Sequence, residues 1–293
     1  MNQKIADRRK YLPWVFLPCV LAIVIQFAAE VMSIQGSVVL ALGSFKGQSF
    51  TDLMTDVYNL LISTMTDVAY IVYSVVGIVV FGYIYKRLFK DDAKFTFRGI
   101  TTSVPATVGG AVLFCIGMQY VTLYLVNVLA ATFPSWMEAY NAMMDLSGLD
   151  GSISPILALY AMFLGPICEE LIFRGITFSA AGKIMPYYMA ILIQALLFGA
   201  FHMNAIQGSY AFVIGLGLGY IMYLYNNILL TMVLHIAYNF IGIICTAFLP
   251  TGGDTIISFF VWTLGSLIVT YISILMLRIG APNTKVNNNS ADI

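Results

Sequence analysis

Residues 153–181 read ISPILALYAMFLGPICEELIFRGITFSAA. The run is long and apolar enough for a membrane-spanning helix, which needs about 20 apolar residues. Yet it carries Glu169, Glu170 and Arg174 within it. An ionisable group inside a bilayer costs at least about 2.5–3.5 kcal/mol, so such residues point to function by default. This stretch therefore implies both a membrane fold and a site.

The rest of the chain agrees with a membrane fold. Of its 293 residues, 60% are apolar and only 10% are charged, against roughly 25% charged in a soluble domain. That balance excludes a soluble enzyme and a disordered chain. With 14 basic and 14 acidic residues, no cationic excess suggests a nucleic-acid partner. Apolar runs at 12–33, 67–86, 104–131, 153–181, 186–205, 208–225, 228–249 and 256–278 predict an all-α, polytopic membrane protein with eight transmembrane helices around a polar intramembrane cavity. The run after Lys4, Arg8, Arg9 and Lys10 is too long for a signal-peptide core and lacks a small-residue cleavage site, so it counts as the first span. Cys19, Cys115, Cys168 and Cys245 all fall in apolar runs, as small buried hydrophobes rather than disulfide partners.

The cations set an orientation. With the N-terminus inside, Lys4, Arg8, Arg9, Lys10, Lys86, Arg87, Lys90, Lys94, Arg98, Lys183, Arg278 and Lys285 are all cytoplasmic, and the outer loops keep Lys46 beside Asp52, Asp56, Glu138, Asp145, Asp150 and Asp254. Twelve cations against one make a clear positive-inside signal, with both termini cytoplasmic. Phe133 to Leu146 reads as a helix on the outer interface. The tail from Pro282 reads as disordered. Gly215, Gly217 and Gly219 suit close helix packing better than a nucleotide loop, because no strand precedes them. Three regions follow: 1–152 with the first three spans and the interfacial helix, 153–249 with the site-bearing spans, and 250–293 with the last span and tail.

The intramembrane polar residues concentrate in the middle region. Glu170 and Arg174 are i and i+4, on one helix face, and can pair. Glu169 lies about 100° round the helix, after the Gly165-Pro166 break, and faces away from that partner. His202 and His235, the only histidines in the chain, both lie in apolar runs, and His235 stands one turn before Asn239. Counting rise along the helices sets Glu169 and His202 level, roughly 20–25 Å from the turn at 183–186, with His235 roughly 12 Å past Asn227. The counts agree if the hairpin of spans four and five projects roughly 10 Å into the cytoplasm, which puts the site in the cytoplasmic half of the bilayer.

A glutamate, two histidines and an asparagine around a cavity suggest hydrolysis by activated water, with Glu169 as base and His235–Asn239 as oxyanion donors. Zinc held by His202, His235 and Glu169 is the other reading, although asparagine is a poor ligand and no His-Glu-x-x-His pattern exists. Cys168 points to a different face from Glu169 and is a weak nucleophile candidate. Phe198, one turn before His202, reads as pocket wall. A non-catalytic scaffold binding a sensor kinase or other membrane regulatory protein is the second class, and a proton-coupled transporter is the third. No inverted repeat supports the transporter.

Glu169-Glu170-x-x-x-Arg174, Phe198-x-x-x-His202 and His235-x-x-x-Asn239, in this order, resemble the three motifs of the CPBP family, the CAAX proteases and bacteriocin-processing enzymes also called Abi proteins. The resemblance covers about residues 153–245. It implies an intramembrane endopeptidase with Glu169 as the water-activating base beside His202, and with His235 and Asn239 stabilising the oxyanion or taking part in metal binding. It implies membrane-associated substrates, prenylated or bacteriocin-type, and either zinc or a metal-free glutamate mechanism. The compact chain is similar to prokaryotic members, which implies a plasma-membrane location.

Overall fold

Hydrocarbon offers no partner to a bare N–H or C=O, so a chain of this composition folds as helices that satisfy their own backbone. The structure, a computed structural model, describes residues 9–47, 49–146, 153–245, 249, 250, 252 and 255–282. Among them are ten long or intermediate helices, one isolated bridge pair (Lys94 with Asn227) and no strand. Helix α1 is Pro13–Ser44. Helix α2, Phe50–Leu60, passes through a π turn, Leu61–Met65, into α3, Thr66–Leu88. Helices α4, Val104–Thr132, and α5, Pro134–Leu146, follow. Helix α6, Pro155–Ala181, carries two π segments, Tyr160–Leu164 and Leu171–Phe178. Then come α7, Tyr187–Phe201; α8, Ala205–Tyr225; α9, Ile228–Phe240, running into a π turn at Ile241–Cys245; and α10, Ile256–Gly280.

Six of these, α1, α3, α4, α6, α8 and α10, are long and apolar enough to cross a membrane. The other two expected spans are apolar helices of shorter length. The 15 residues of α7 reach only about 22 Å, against a hydrocarbon core of about 30 Å. Helix α7 stops early because the chain turns back inside the apolar run: Met203 has φ +50°, and Asn204 caps α8 by accepting from the amides of Ile206 and Gln207 at 3.0 and 3.1 Å. Helix α2 occupies what the sequence left as an outer loop. Its start is a capping box, with Ser49 Oγ accepting from Asp52 N at 3.2 Å and Asp52 Oδ2 accepting from Ser49 N at 3.1 Å. The expected helix at 133–146 is present as α5. The tail beyond Pro282, the residues Lys4, Arg8, Asp150, Asp254 and Lys285, and the side chain of Cys245 lie outside the described residues.

Polar contacts tie the basic turns together at one end of the bundle. Lys183 Nζ meets Asp92 Oδ1 at 2.6 Å. Lys94 N donates to Asn226 O at 2.8 Å and Ile228 N to Lys94 O at 2.9 Å, while Asn227 caps α9 through Leu230 N at 3.1 Å. Thr102 N donates to Gly280 O at 2.9 Å, which brings the start of α4 to the end of α10. Tyr11 and Trp14 pack on Phe89.

Small residues let the helices approach closely, as expected where lipid supplies no hydrophobic drive. On α4, Gly110 and Gly117 lie two turns apart and meet backbone atoms of Ser273, Leu277 and Thr270 on α10. In the α7–α8 hairpin, a Cβ on Gly199 would stand 2.6 Å from Gly208 O, and one on Gly215 would stand 3.2 Å from Ala195. Gly219 faces the buried Gln194 amide, which donates to Gly215 O at 2.8 Å. Gly199→Ala is therefore expected to destabilise the protein by about 1–3 kcal/mol. Gly265→Ala, with open space around its Cβ, should stay within about 0.5 kcal/mol; thermal unfolding of the two variants in detergent checks the contrast.

Candidate active site

Proline 166 has no N–H and crowds the preceding turn, and α6 answers by widening. Gly165 N donates to Tyr160 O, an i to i−5 bond that defines a π turn, a feature frequent at functional sites. A second π segment begins at Leu171. Glu169 and Glu170 sit on the short α-helical stretch between the two, Gly165–Glu170.

From there the two carboxylates part. Glu170 and Arg174 are both fully buried, with Arg174 Nη1 at 2.8 Å from Glu170 Oε1, the pair their spacing predicts. The same Oε1 lies 2.9 Å from His235 Nδ1, so with Glu170 ionised it is His235 Nδ1–H that donates. The i, i+4 spacing predicts only Arg174 beside Glu170, since a contact 65 residues away leaves no periodic trace. Glu169 Oε2 stands 3.6 Å from the other ring nitrogen, His235 Nε2. One imidazole from α9 thus touches two consecutive glutamates of α6, one at each nitrogen.

His202 caps α7, and its Nδ1 donates to Phe198 O at 2.8 Å, which turns Nε2 outward. Phe198 is more than wall. Its ring lies 4.5 Å from the Arg174 guanidinium and packs edge-on against His202 and His235, with centroids 5.0 and 5.6 Å away. The guanidinium over an aromatic face adds a cation–π contact to the buried pair. Asn239 donates from Nδ2 to Ala161 O at 2.9 Å, and its second N–H and Oδ1 stay available.

Glu169, Phe198, His202, His235 and Asn239 all line one cavity of about 400 Å³, while Glu170 and Arg174 stand behind it. Cys168 is fully buried and does not line the cavity; its Sγ lies 4.0 Å from Tyr73 Oη on α3. Cys19, Cys115 and Cys168 are all free thiols. Further lining residues went unremarked in the sequence: Gln26 and Glu30 from α1, Tyr70 from α3, Tyr160 from α6, and Gln207 and Tyr210 from α8. Glu30 was legible, being a carboxylate inside the first apolar run.

Among the described residues no group of three or more His, Cys, Asp or Glu side chains is arranged to hold a metal ion. His202, His235 and Glu169 offer donors of suitable chemistry, but they do not close into a three-donor set.

The family model for type II CAAX prenyl endopeptidase Rce1-like proteins matches residues 151–241, the stretch that carries Glu169, Phe198, His202, His235 and Asn239. Over that stretch, about a third of the chain, the sequence is similar to the CAAX-protease family. No curated protein and no solved structure matches it. The family is one of membrane peptidases acting on membrane-associated substrates, and the helices described above are those of a multi-pass membrane protein.

Leaving Glu170 buried without Arg174 should be costly. Arg174→Met is expected to destabilise by about 3–5 kcal/mol, and Glu170→Leu/Arg174→Met to recover most of that loss. Thermal unfolding in detergent reads both.

Proposed function

We propose that the protein is an intramembrane endopeptidase in which Glu169 activates water for attack on a peptide bond of a membrane-anchored substrate. The observation that carries this reading is the pairing across the cavity of Glu169 Oε2 with His235 Nε2 at 3.6 Å, beside His202 and Asn239. Glu169 takes the proton of a water entering the cavity, and the resulting hydroxide adds to the scissile carbonyl. His235 is held by Glu170 at Nδ1 and turns Nε2 to the reacting centre, and the second N–H of Asn239 donates to the developing oxyanion. Glu169 then returns its proton to the leaving amine. Glu170 and Arg174 hold His235 in register, and the fixed Nδ1 of His202 presents Nε2 to the cavity.

The family points to prenylated peptides as the substrate class. A second chamber of about 720 Å³, lined by Ile34, Leu61, Ala69, Ala139 and Ala142 among others, shares Gln26, Glu30, Tyr70 and Met143 with the catalytic cavity. Such a chamber rewards an apolar chain by about 0.8 kcal/mol per buried CH₂. The gathering of basic turns at one end supports a cytoplasmic orientation of that end, with access for substrates anchored in the inner leaflet of a plasma membrane.

The deciding experiment compares new peptide termini in membrane proteomes of cells expressing wild type or Glu169→Gln at equal levels. Termini that vanish in the variant are expected, and they name the substrate. If none changes while the variant still rescues a deletion phenotype, the protein acts as a scaffold. On a purified reporter, His202→Ala and His235→Ala should abolish cleavage, and Asn239→Ala should slow it by about 10²–10³. Cleavage should also survive a zinc chelator; loss that zinc restores would replace the carboxylate-only mechanism with a metal one.

A further inference from the structure

The catalytic cavity holds a carboxylate that the mechanism does not use. Glu30 lies mid-way along α1, 17 residues after Pro13 and 14 before Ser44, hence roughly 20–25 Å from either end. It faces both the catalytic cavity and the apolar chamber. Its described contact is a hydrogen bond from Gln26 Nε2 to Oε1 at 3.1 Å, one helical turn away. Glu170 and Glu169 each have a basic neighbour in the site, but no Lys, Arg or His among the described residues pairs with Glu30. A carboxylate mid-way along a helix long and apolar enough to cross a membrane calls for a partner. Beside it stand Tyr70 and Tyr160, stacked with centroids 4.6 Å apart and both lining the same cavity. A carboxylate next to aromatic rings that line the same cavity is a setting for a cation.

We propose that Glu30 is the binding residue for a positively charged side chain, Lys or Arg, of the substrate peptide, which makes it a specificity determinant of the peptidase. The inference rests on the endopeptidase reading above and deepens it. A basic side chain fits the two-part environment, because its aliphatic stem lies along the apolar chamber while its charged head reaches Glu30. A lipid amine fits less well, since headgroups sit at the bilayer surface and Glu30 lies roughly 20–25 Å from either end of α1.

The test uses the full-length protein in detergent and a set of farnesylated fluorogenic peptides. They are identical except for one position carrying Lys, Gln or Glu, and that position is moved residue by residue around the scissile bond. At one position the Lys peptide should exceed the Gln peptide by about tenfold in kcat/KM, with the Glu peptide lowest. Glu30→Gln should bring the Lys-to-Gln ratio close to one, and Glu30→Lys should turn the preference toward the Glu peptide. Each ratio is read on a single preparation, so a smaller folded fraction does not alter it. Binding of the same peptides to Glu169→Gln, followed by fluorescence anisotropy, gives a readout independent of cleavage. Charge-dependent binding that Glu30→Gln removes, without cleavage by wild type, would sustain this subsite and remove the peptidase reading. Cleavage with a ratio near one at every position, or equal losses for all peptides in Glu30→Gln, would overturn the subsite and leave the peptidase reading in place. Neither cleavage nor charge-dependent binding would overturn both.

Discussion

A carboxylate with no access to water has to be answered by charges from its own protein, and Glu170 is answered from two directions. Arg174 reaches it from one turn along α6, and His235 reaches it from α9. The first contact is local and would form in an isolated helix. The second forms only when α9 lies against α6 in one register, so satisfying Glu170 also sets the position of His235. In a low-dielectric interior such a network tolerates little displacement, because each unpaired group bears the full cost of its lost hydration. The precision of this cavity wall follows from that intolerance. With Nδ1 occupied, the imidazole has one free nitrogen, and it faces Glu169.

The second constraint is steric. Glycines 199 and 208 bring the α7 and α8 backbones into contact just below the hairpin tip, and the tip itself turns at Met203 with positive φ. His202 therefore sits at the end of a helix, where its ring is held by the Phe198 carbonyl. Phe198 joins the two constraints, since one ring touches the buried guanidinium and both histidines. The residue that looked least chemical in its motif is the one against which the site is packed.

Around this wall polar and apolar surface are divided. Glu169, His202, His235 and Asn239 come from α6, α7 and α9, while α1, α3 and α5 supply the chamber beside them. Glu30 and Tyr70 stand where the two spaces meet. The first helix thus lines the same cavity as Glu169, although the family match begins far beyond it.

Much of this could be read from composition and spacing. The helical, membrane-bound character follows from an apolar fraction that no soluble surface could cover. The Glu170–Arg174 pair follows from i, i+4 geometry, and the packing role of Gly215 and Gly219 follows from small residues in an apolar helix. These are local properties, and local properties are written in periodicity. The early end of α7 was hidden because hydropathy does not register a turn made of His202, Met203 and Asn204 inside an apolar run. Helix α2 was hidden because its acidic, capped start resembles a loop. The sequence by itself determined the class of fold and which residues were too polar for their surroundings. Only the tertiary structure decided that His235 bridges Glu169 and Glu170, that Asn239 turns to Ala161, and that Glu30 shares their cavity. Those contacts join α6 to helices 65 or more residues away in the chain, and their geometry is set by helix packing and charge neutralisation rather than by spacing along one helix.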